Sequence, residues 1–325
     1  MGLLVKGVWQ DQSIDTKISG GRFVRAEAQF RNWITEDGAV GSSGEEGFKA
    51  EPGRYHLYVS LACPWAHRTL IIRKLKELEE VISVSVVSPD VHENGWEFNS
   101  DCPDRLYDSH FLYQLYQQAK ADYNGRVAVP VLWDQQKKTI VSNESSEIIR
   151  MFNTAFNSFI GSQQNFYPEA LRSQIDEIND FVYHNINNGV YKCGFASEQE
   201  AYEEACYNLF NALDKVDALL KEQPFLVGGD ISEADWRLFT TLLRFDPVYV
   251  GHFKCNLKRI ADYPHLSNYL RQLYQVPGVA DTVDMTHIKR HYYVSHRQVN
   301  PTGIVPVGPE VDLSQPHNRG EVLLD

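Results

Sequence analysis

The stretch LACPWAHRTL (Leu61–Leu70) places a cysteine directly before a proline, between a predicted strand and a predicted helix. Proline suits the first position of a helix because its missing N–H is not needed there. Cys63 then lies at the helix N-terminus, where free backbone N–H groups and the positive end of the helix dipole stabilise a thiolate. Thiols in such positions have pKa values of about 3.5 to 7.5, against about 8.5 for a free cysteine. We therefore predict that Cys63 is a reactive nucleophile with a lowered pKa.

Ala66 stands where a second cysteine would complete a C-x-x-C motif. A second cysteine would attack a mixed disulfide at Cys63 and close an intramolecular bridge. Without that cysteine, the mixed disulfide persists until an external thiol attacks it. Glutathione is the expected source of that thiol in a reducing cytosol.

The composition narrows the class of protein. The chain has 325 residues and a formal charge of −12, which favours two domains and argues against a nucleic-acid partner. The sequence has no apolar run long enough for a membrane span or a signal peptide, so we expect a soluble, cytoplasmic protein. The cysteines are widely spaced and the histidines scattered, which predicts neither a disulfide framework nor a metal site. The five cysteines are Cys63, Cys102, Cys193, Cys206 and Cys255.

The first half of the chain shows the pattern of a small α/β domain. Aromatic and β-branched segments predict strands, and apolar spacings of three and four residues predict helices. The resulting order β-α-β-α-β-β-α indicates a mixed sheet. The predicted elements are strand 54–61, a helix from residue 64, strand 82–88, a helix near 109–121, strands 129–134 and 137–142, and a helix from residue 143.

The second half is predicted to be all-helical. Apolar residues step by three and four from Leu171 to Val182 and from Tyr202 to Leu220, which is typical of long amphipathic helices. We therefore predict four segments. They are a largely irregular N-terminal extension (1–50), an α/β domain (51–158), a helical domain (166–300) and an extended C-terminal tail (301–325).

The order of these features resembles a glutathione transferase with a thioredoxin-like N-terminal domain. The resemblance rests on Cys63-Pro64 after a strand, Val129-Pro130, and Glu144-Ser145 at a helix start, followed by a helical half. It implies a mixed four-stranded sheet and a cis Pro130, with the backbone of Val129 pairing with glutathione. It also implies that Glu144 and Ser145 bind the γ-glutamyl end, whose carboxylate suits a helix N-terminus.

Longer blocks, spread over nearly the whole chain, narrow the resemblance to the glutathionyl-hydroquinone reductases, the xi class of glutathione transferases. This family implies a homodimer that acts on glutathione and aromatic hydroquinone conjugates, and we expect a bacterial source. The blocks are YHLYVSLACPWAHRTLI, ENGWEF, GRVAVPVLWD, NNGVYKCGFA, RFDPVYVGHFKC and NPTGIVP.

The resemblance also assigns roles to particular residues. It makes Cys63 the nucleophile and Tyr191 the proton donor, and it implies that Tyr249 and Tyr292 lower the pKa of the nucleophile. Because Tyr293 is adjacent to Tyr292, the sequence leaves open which of the two matches the family tyrosine. The expected glutathione-binding residues are Trp96, Arg126, Val127, Ala128, Val129, Pro130, Glu144 and Ser145.

Two other functions remain open at this point. The short motifs around Cys63 also allow an omega-like thiol transferase or a dehydroascorbate reductase. A non-catalytic glutathione-binding module would keep the fold but show no turnover that depends on Cys63. The blocks NNGVYKCG and NPTGIVP favour the reductase, and the joint presence of Cys63, Pro130, Glu144-Ser145 and Tyr191 argues against the module.

Overall fold

A four-stranded mixed sheet forms the centre of the first half of the chain. The structure, a computed structural model, describes residues 2–12 and 15–320. Parts of the predicted extension (1, 13–14) and of the predicted tail (321–325) therefore lie outside the described residues. The sheet order is β11-β10-β5-β6, from strands β5 (Tyr55–Val59), β6 (Ile82–Val86), β10 (Val131–Asp134) and β11 (Thr139–Ser142).

The predicted mixed sheet is confirmed. Strand β5 pairs in parallel with β6 and antiparallel with β10, and β10 and β11 form the predicted hairpin. All five residues of β5 are buried, as expected for a central strand covered on both faces. Three helices pack around the sheet, namely α1 (Pro64–Leu75), α2 (Leu112–Ala119) and α3 (Ser145–Thr154).

The second half is helical, as predicted. Ser232 and Asp235 form a reciprocal capping box at the start of the helix Glu233–Arg244. Two π-helical segments, Tyr183–Asn187 and Phe245–Tyr249, interrupt the regular helices, and such segments often occur at functional sites. The α-helices are α4 (Arg172–Val182), α5 (Gly189–Phe195), α6 (Gln199–Glu222), α7 (Glu233–Arg244), α8 (Val250–His252), α9 (Pro264–Tyr274) and α10 (Met285–Ser295).

The N-terminal extension contains more structure than the sequence predicts. Its first hairpin pairs with a two-residue strand next to the site, and two later strands pair in parallel. Leu3 pairs with Arg126, and local periodicity carries no signal for so distant a partner. These strands are β1 (Leu3–Val5), β2 (Val8–Gln10), β3 (Trp33–Thr35), β4 (Gly47–Lys49) and β9 (Gly125–Arg126). The predicted division of the chain into four segments stays a prediction.

The buried arginine Arg244 joins the helical half to the loop before Cys63. Its guanidinium donates to the carbonyls of Leu61 (2.9 Å) and Ala62 (2.7 Å) and contacts Nδ1 of His67 (3.1 Å). Arg244 is fully buried at the end of α7, so these hydrogen bonds satisfy backbone groups that water does not reach. The position of Cys63 therefore depends on both halves of the chain.

Candidate active site

A cavity of about 640 Å³ lies between the two halves of the chain. Every predicted site residue except Tyr249 lines it. The predicted residues in its wall are Cys63, Trp96, Arg126, Val127, Ala128, Val129, Pro130, Glu144, Ser145, Tyr191 and Tyr292. Residues that are up to 229 positions apart in the sequence, from Cys63 to Tyr292, therefore share one cavity.

Cys63 is the N-cap residue of α1 and Pro64 is the first helical residue, as predicted. Cys63 as a whole residue is partly exposed, and its thiol donates a long hydrogen bond to the Val129 carbonyl, with Sγ and O 3.6 Å apart. The Val129–Pro130 peptide bond is cis, as the resemblance implies. The sulfur therefore lies beside the backbone segment that is expected to pair with glutathione.

The prediction of a lowered pKa for Cys63 is wrong for this structure. Burial raises the pKa of the thiol, because a thiolate loses hydration in the cavity wall. The N–H groups of Ala66 and Trp65 and the charges of Arg244 and Arg25 act in the opposite direction, but burial outweighs them. The sequence reveals the helix N-terminus but not the extent of desolvation.

Tyr116 organises the segment between β9 and β10. Its hydroxyl donates to the Ala128 carbonyl (2.7 Å) and accepts hydrogen bonds from the Ala128 N–H (3.3 Å) and from the side chain of Asn143 (3.1 Å). Tyr116 is fully buried beneath the cavity. One side chain therefore connects the Val127–Pro130 segment with the residue that precedes Glu144.

Glu144 and Ser145 lie at the start of α3, where they line the cavity. The Glu144 carboxylate caps the helix by accepting hydrogen bonds from the Ser146 N–H (2.9 Å) and the Ser146 hydroxyl (2.8 Å). Ser145 is buried, with 2% of its surface exposed. Glu144 therefore caps α3, and the N-terminus of this helix still faces the cavity, where it favours a bound carboxylate.

Three tyrosines form one hydrogen-bonded cluster in the helical half. The Tyr292 hydroxyl lies 2.7 Å from the Tyr191 hydroxyl and 3.1 Å from the Tyr249 hydroxyl. Burial raises the pKa of each of the three, so each keeps its proton at neutral pH. A tyrosine that keeps its proton suits the role of a general acid.

Two tyrosines named in the sequence analysis, Tyr249 and Tyr293, lie outside the cavity wall. Tyr249 is fully buried behind Tyr292 and does not line the cavity, so it can influence the thiol only through its neighbours. Tyr293 donates to the Pro247 carbonyl (3.3 Å) and likewise lies outside the cavity wall. Of the adjacent pair, Tyr292 lines the cavity and Tyr293 does not, and the expected roles of Tyr249 and Tyr292 in lowering the pKa of Cys63 stay predictions.

Trp96 and Arg126 line the cavity on the side of the α/β half. Trp96 lies in a two-residue strand, β8 (Gly95–Trp96), which pairs with β7 (Val91–His92), and its ring stacks on His291 with ring centroids 4.8 Å apart. Arg126 lies on β9, and its guanidinium donates to the carbonyl of Gln12 in the extension (2.6 Å). The extension is thus in contact with one of the predicted glutathione-binding residues.

The sequence analysis did not assign several residues that line the cavity. Arg25 reaches it from the N-terminal extension, while Trp65 and Arg68 follow Cys63 on α1. His291 and His296 come from the last helix and its C-cap, and burial lowers the pKa of His291 to about 4. The unusual stretch LACPWAHR could have indicated that Trp65 and Arg68 lie near the site. No local pattern in the sequence marked Arg25, His291 or His296.

The remaining cysteines lie away from the site. Cys193, Cys206 and Cys255 are buried in the helical half, Cys102 is partly exposed, and in the described part of the chain Cys63 is the one cysteine that lines the cavity. Within residues 2–12 and 15–320, no group of three or more His, Cys, Asp or Glu side chains is arranged to hold a metal ion. The same part of the chain contains no helix with the length and apolar character to span a bilayer.

Comparisons with known proteins match both halves. The glutathione S-transferase N-terminal domain model matches residues 62–155, and the C-terminal domain model matches residues 199–272. The glutathionyl-hydroquinone reductase YqjG of Escherichia coli is 56% identical over 323 residues, which is 98% of each chain. Its glutathione-bound structure superposes with a TM-score of 0.91 at 53% identity, over 98% of this chain and 99% of that one. A xi-class transferase from Natrialba magadii superposes with a TM-score of 0.89 at 47% identity, over 98% of this chain and 96% of the other.

Proposed function

Because this chain belongs to the xi class of glutathione transferases, the class of the glutathionyl-hydroquinone reductases, we propose that it reduces glutathionylated hydroquinones. The products are the free hydroquinone and glutathione disulfide. Glutathione is a co-substrate, and the reaction needs no metal.

The first half-reaction transfers the glutathionyl group to the enzyme. The Cys63 thiolate attacks the sulfur of the conjugate, and a Cys63–glutathione disulfide forms as the bond between that sulfur and the ring carbon breaks. The electron pair of the broken bond stays on the ring carbon, which takes a proton from the Tyr191 hydroxyl. This is nucleophilic catalysis assisted by a general acid.

The second half-reaction regenerates the enzyme. A glutathione thiolate attacks the sulfur of the bound glutathionyl group, releases glutathione disulfide and leaves the Cys63 thiolate. Overall, one glutathione thiol and the thioether sulfur of the conjugate are joined in one disulfide, and the carbon–sulfur bond of the conjugate is replaced by a carbon–hydrogen bond. Tyr191 recovers its proton from solvent, with Tyr292 as its nearest hydroxyl neighbour.

The observation that carries this proposal is the shared cavity of Cys63 and Tyr191. A nucleophile and a proton donor in one wall suit the cleavage of a carbon–sulfur bond. The other cysteines lie outside the part of the cavity wall that the structure describes, which supports release of the mixed disulfide by a second glutathione. The buried aromatic side chains Trp96 and Tyr292 suit a flat ring in the same space.

We propose that the α/β half binds the glutathionyl part of the substrate. The Val129 backbone would pair with its cysteinyl unit, and the start of α3 would hold the γ-glutamyl carboxylate. Arg126 would contact the glycyl carboxylate, since a guanidinium suits that group. The residues proposed to bind glutathione are Trp96, Arg126, Val127, Ala128, Val129, Pro130, Glu144 and Ser145.

A comparison of two substrates tests this function. Wild-type protein and the variant Cys63→Ser are incubated with glutathione and either a glutathionylated hydroquinone or a small glutathionylated disulfide. The reductase function predicts release of hydroquinone by the wild type alone. Turnover of the disulfide without release of hydroquinone would instead establish a thiol transferase. Binding of glutathione without either reaction would establish a non-catalytic module.

We also propose that the protein is a cytoplasmic homodimer. Its five free thiols suit a reducing compartment. Apolar side chains remain exposed along residues 301–312, for example Ile304 (69%) and Val307 (96%), and a second copy of the chain could cover them. Light scattering during gel filtration tests the dimer, because it gives the mass in solution directly.

A further inference from the structure

The N-terminal extension places an arginine inside the cavity that Cys63 and Tyr191 share. The Arg25 guanidinium carbon lies 4.7 Å from the ring centroid of Trp65, 4.8 Å from that of Tyr191 and 5.3 Å from that of Phe23. Its Nε donates to Oδ1 of Asn188, the residue just before α5, at 2.7 Å. The guanidinium is therefore held between aromatic faces in a defined position.

The rest of the extension is fixed to the same part of the helical half. The Ser197 N–H donates to the Gly21 carbonyl (3.0 Å), and the hydroxyls of Thr16 and Ser197 lie 2.7 Å apart. Arg22 forms an ion pair with Glu204 at 2.8 Å. The extension therefore contacts residues on both sides of α5, the helix that carries Tyr191. These contacts hold Arg25 next to the proposed proton donor.

We propose that Arg25 is a positioning residue of the reaction, which fixes the Trp65 and Tyr191 rings and supplies positive charge to the cavity wall. The inference rests on the proposed function, because that function makes Cys63 and Tyr191 the reacting groups. Both groups become more negative during the reaction, Cys63 before its attack and Tyr191 as it gives up its proton. A nearby fixed cation stabilises such charge more strongly in a desolvated cavity than in water.

Arg25, Arg68 and Arg244 bring positive charge near Cys63 from three different parts of the chain, so a substitution of Arg25 leaves the other two charges in place. Arg68 lies on the same helix as Cys63, and Arg244 approaches from α7 and holds the preceding loop by hydrogen bonds. Arg25 lowers the pKa of both Cys63 and Tyr191, against the effect of burial. The other titratable groups that line the cavity include Glu144, His291, Tyr292 and His296.

Three variants test the role of Arg25. Arg25→Met removes the charge, and Arg25→Lys keeps the charge but not the planar stacking group. Arg22→Met is the matched control, because it breaks a contact of the same extension by an exposed arginine that does not line the cavity. For each folded variant, the rate of iodoacetamide modification at Cys63 is measured against pH by mass spectrometry, together with kcat and KM for the glutathionylated hydroquinone.

We expect Arg25→Met to move the alkylation profile upward by about half to one pH unit, with about a three- to tenfold lower kcat. Arg25→Lys should restore most of the alkylation profile, and Arg22→Met should match the wild type. Identical alkylation profiles for Arg25→Met and Arg22→Met would overturn the proposal. If Arg25→Met does not fold, Asn188→Leu, which removes the anchor of Arg25, must shift the same profile for the proposal to stand.

The alkylation readout does not depend on the reductase function. If the wild type releases no hydroquinone while Arg25→Met still shifts the alkylation profile, the proposed function fails and the effect of Arg25 on Cys63 stands. If the wild type releases hydroquinone and none of the Arg25 variants differs from it, the proposal for Arg25 fails and the function stands.

Discussion

The hydroxyl oxygens of Tyr191 and Tyr292 lie 2.7 Å apart, although 101 residues separate them in the chain. Helix α5 carries one and α10 carries the other. Because burial raises the pKa of both, the pair holds two protons at neutral pH, and one of them is available to a ring carbon in the cavity. This pair gives the proposed reaction its acid.

The substitution Tyr191→Phe should lower kcat for the glutathionylated hydroquinone by about 10²- to 10⁴-fold, the usual contribution of a general acid. The phenyl ring keeps the packing but cannot protonate the leaving carbon. Steady-state kinetics measures the loss. Reduction of a small glutathionylated disulfide needs no carbon acid, so it should change little. Equal losses with both substrates would show that Tyr191 does not act as the acid.

The substitution Tyr249→Phe should have a smaller effect on kcat than Tyr191→Phe. Tyr249 lies behind Tyr292 and outside the cavity wall, so its removal costs one hydrogen bond, or about 0.5–1.5 kcal/mol in the free energy of unfolding. Urea denaturation and steady-state kinetics measure the two effects. A loss of kcat as large as that of Tyr191→Phe would contradict the indirect role.

The alkylation rate of Cys63 should keep rising above pH 8.5. Burial raises the pKa of the thiol, so the reactive thiolate forms at higher pH than in a free cysteine, whose pKa is about 8.5. Mass spectrometry after brief exposure to iodoacetamide at several pH values follows this one residue and separates it from Cys102. A plateau below pH 7.5 would mean that the helix N-terminus and the nearby arginines outweigh burial.

The substitution Arg244→Met should destabilise the fold. It leaves the Leu61 and Ala62 carbonyls without their buried donor, and each unsatisfied group costs about 1–3 kcal/mol. Arg259→Met is a suitable control, because Arg259 forms an ion pair with Asp262 on the exposed surface, where such pairs contribute little to stability. Urea denaturation gives the free energy of unfolding of each. Equal losses for the two variants would contradict the structural role of Arg244.

Local patterns in the sequence predicted the elements that carry most of the site. A strand followed by Cys63-Pro64 predicted the start of α1, and Glu144-Ser145 predicted the start of α3. Residues in the long family-like blocks, such as Trp96 and Tyr191, line the cavity. Short-range spacing was sufficient here because capping and helical periodicity act within a few residues.

Features that depend on distant contacts could not be predicted in the same way. Arg25 lies in a segment without periodicity. Its position follows from contacts with Trp65, Asn188 and Tyr191, which are all distant from it in the sequence. The pKa of Cys63 was predicted in the wrong direction because a sequence shows the helix N-terminus but not the burial of the thiol. Both depend on how the two halves of the chain enclose the cavity.

The most direct test of the central claim is the intact mass of the protein after a single turnover. Reduced protein is mixed with a glutathionylated hydroquinone in the absence of free glutathione, beside the variant Cys63→Ala. We predict one glutathione adduct on the wild type alone, one equivalent of released hydroquinone, and loss of the adduct when glutathione is added. Release of hydroquinone without an adduct, or an adduct that persists in Cys63→Ala, would contradict the proposed mechanism.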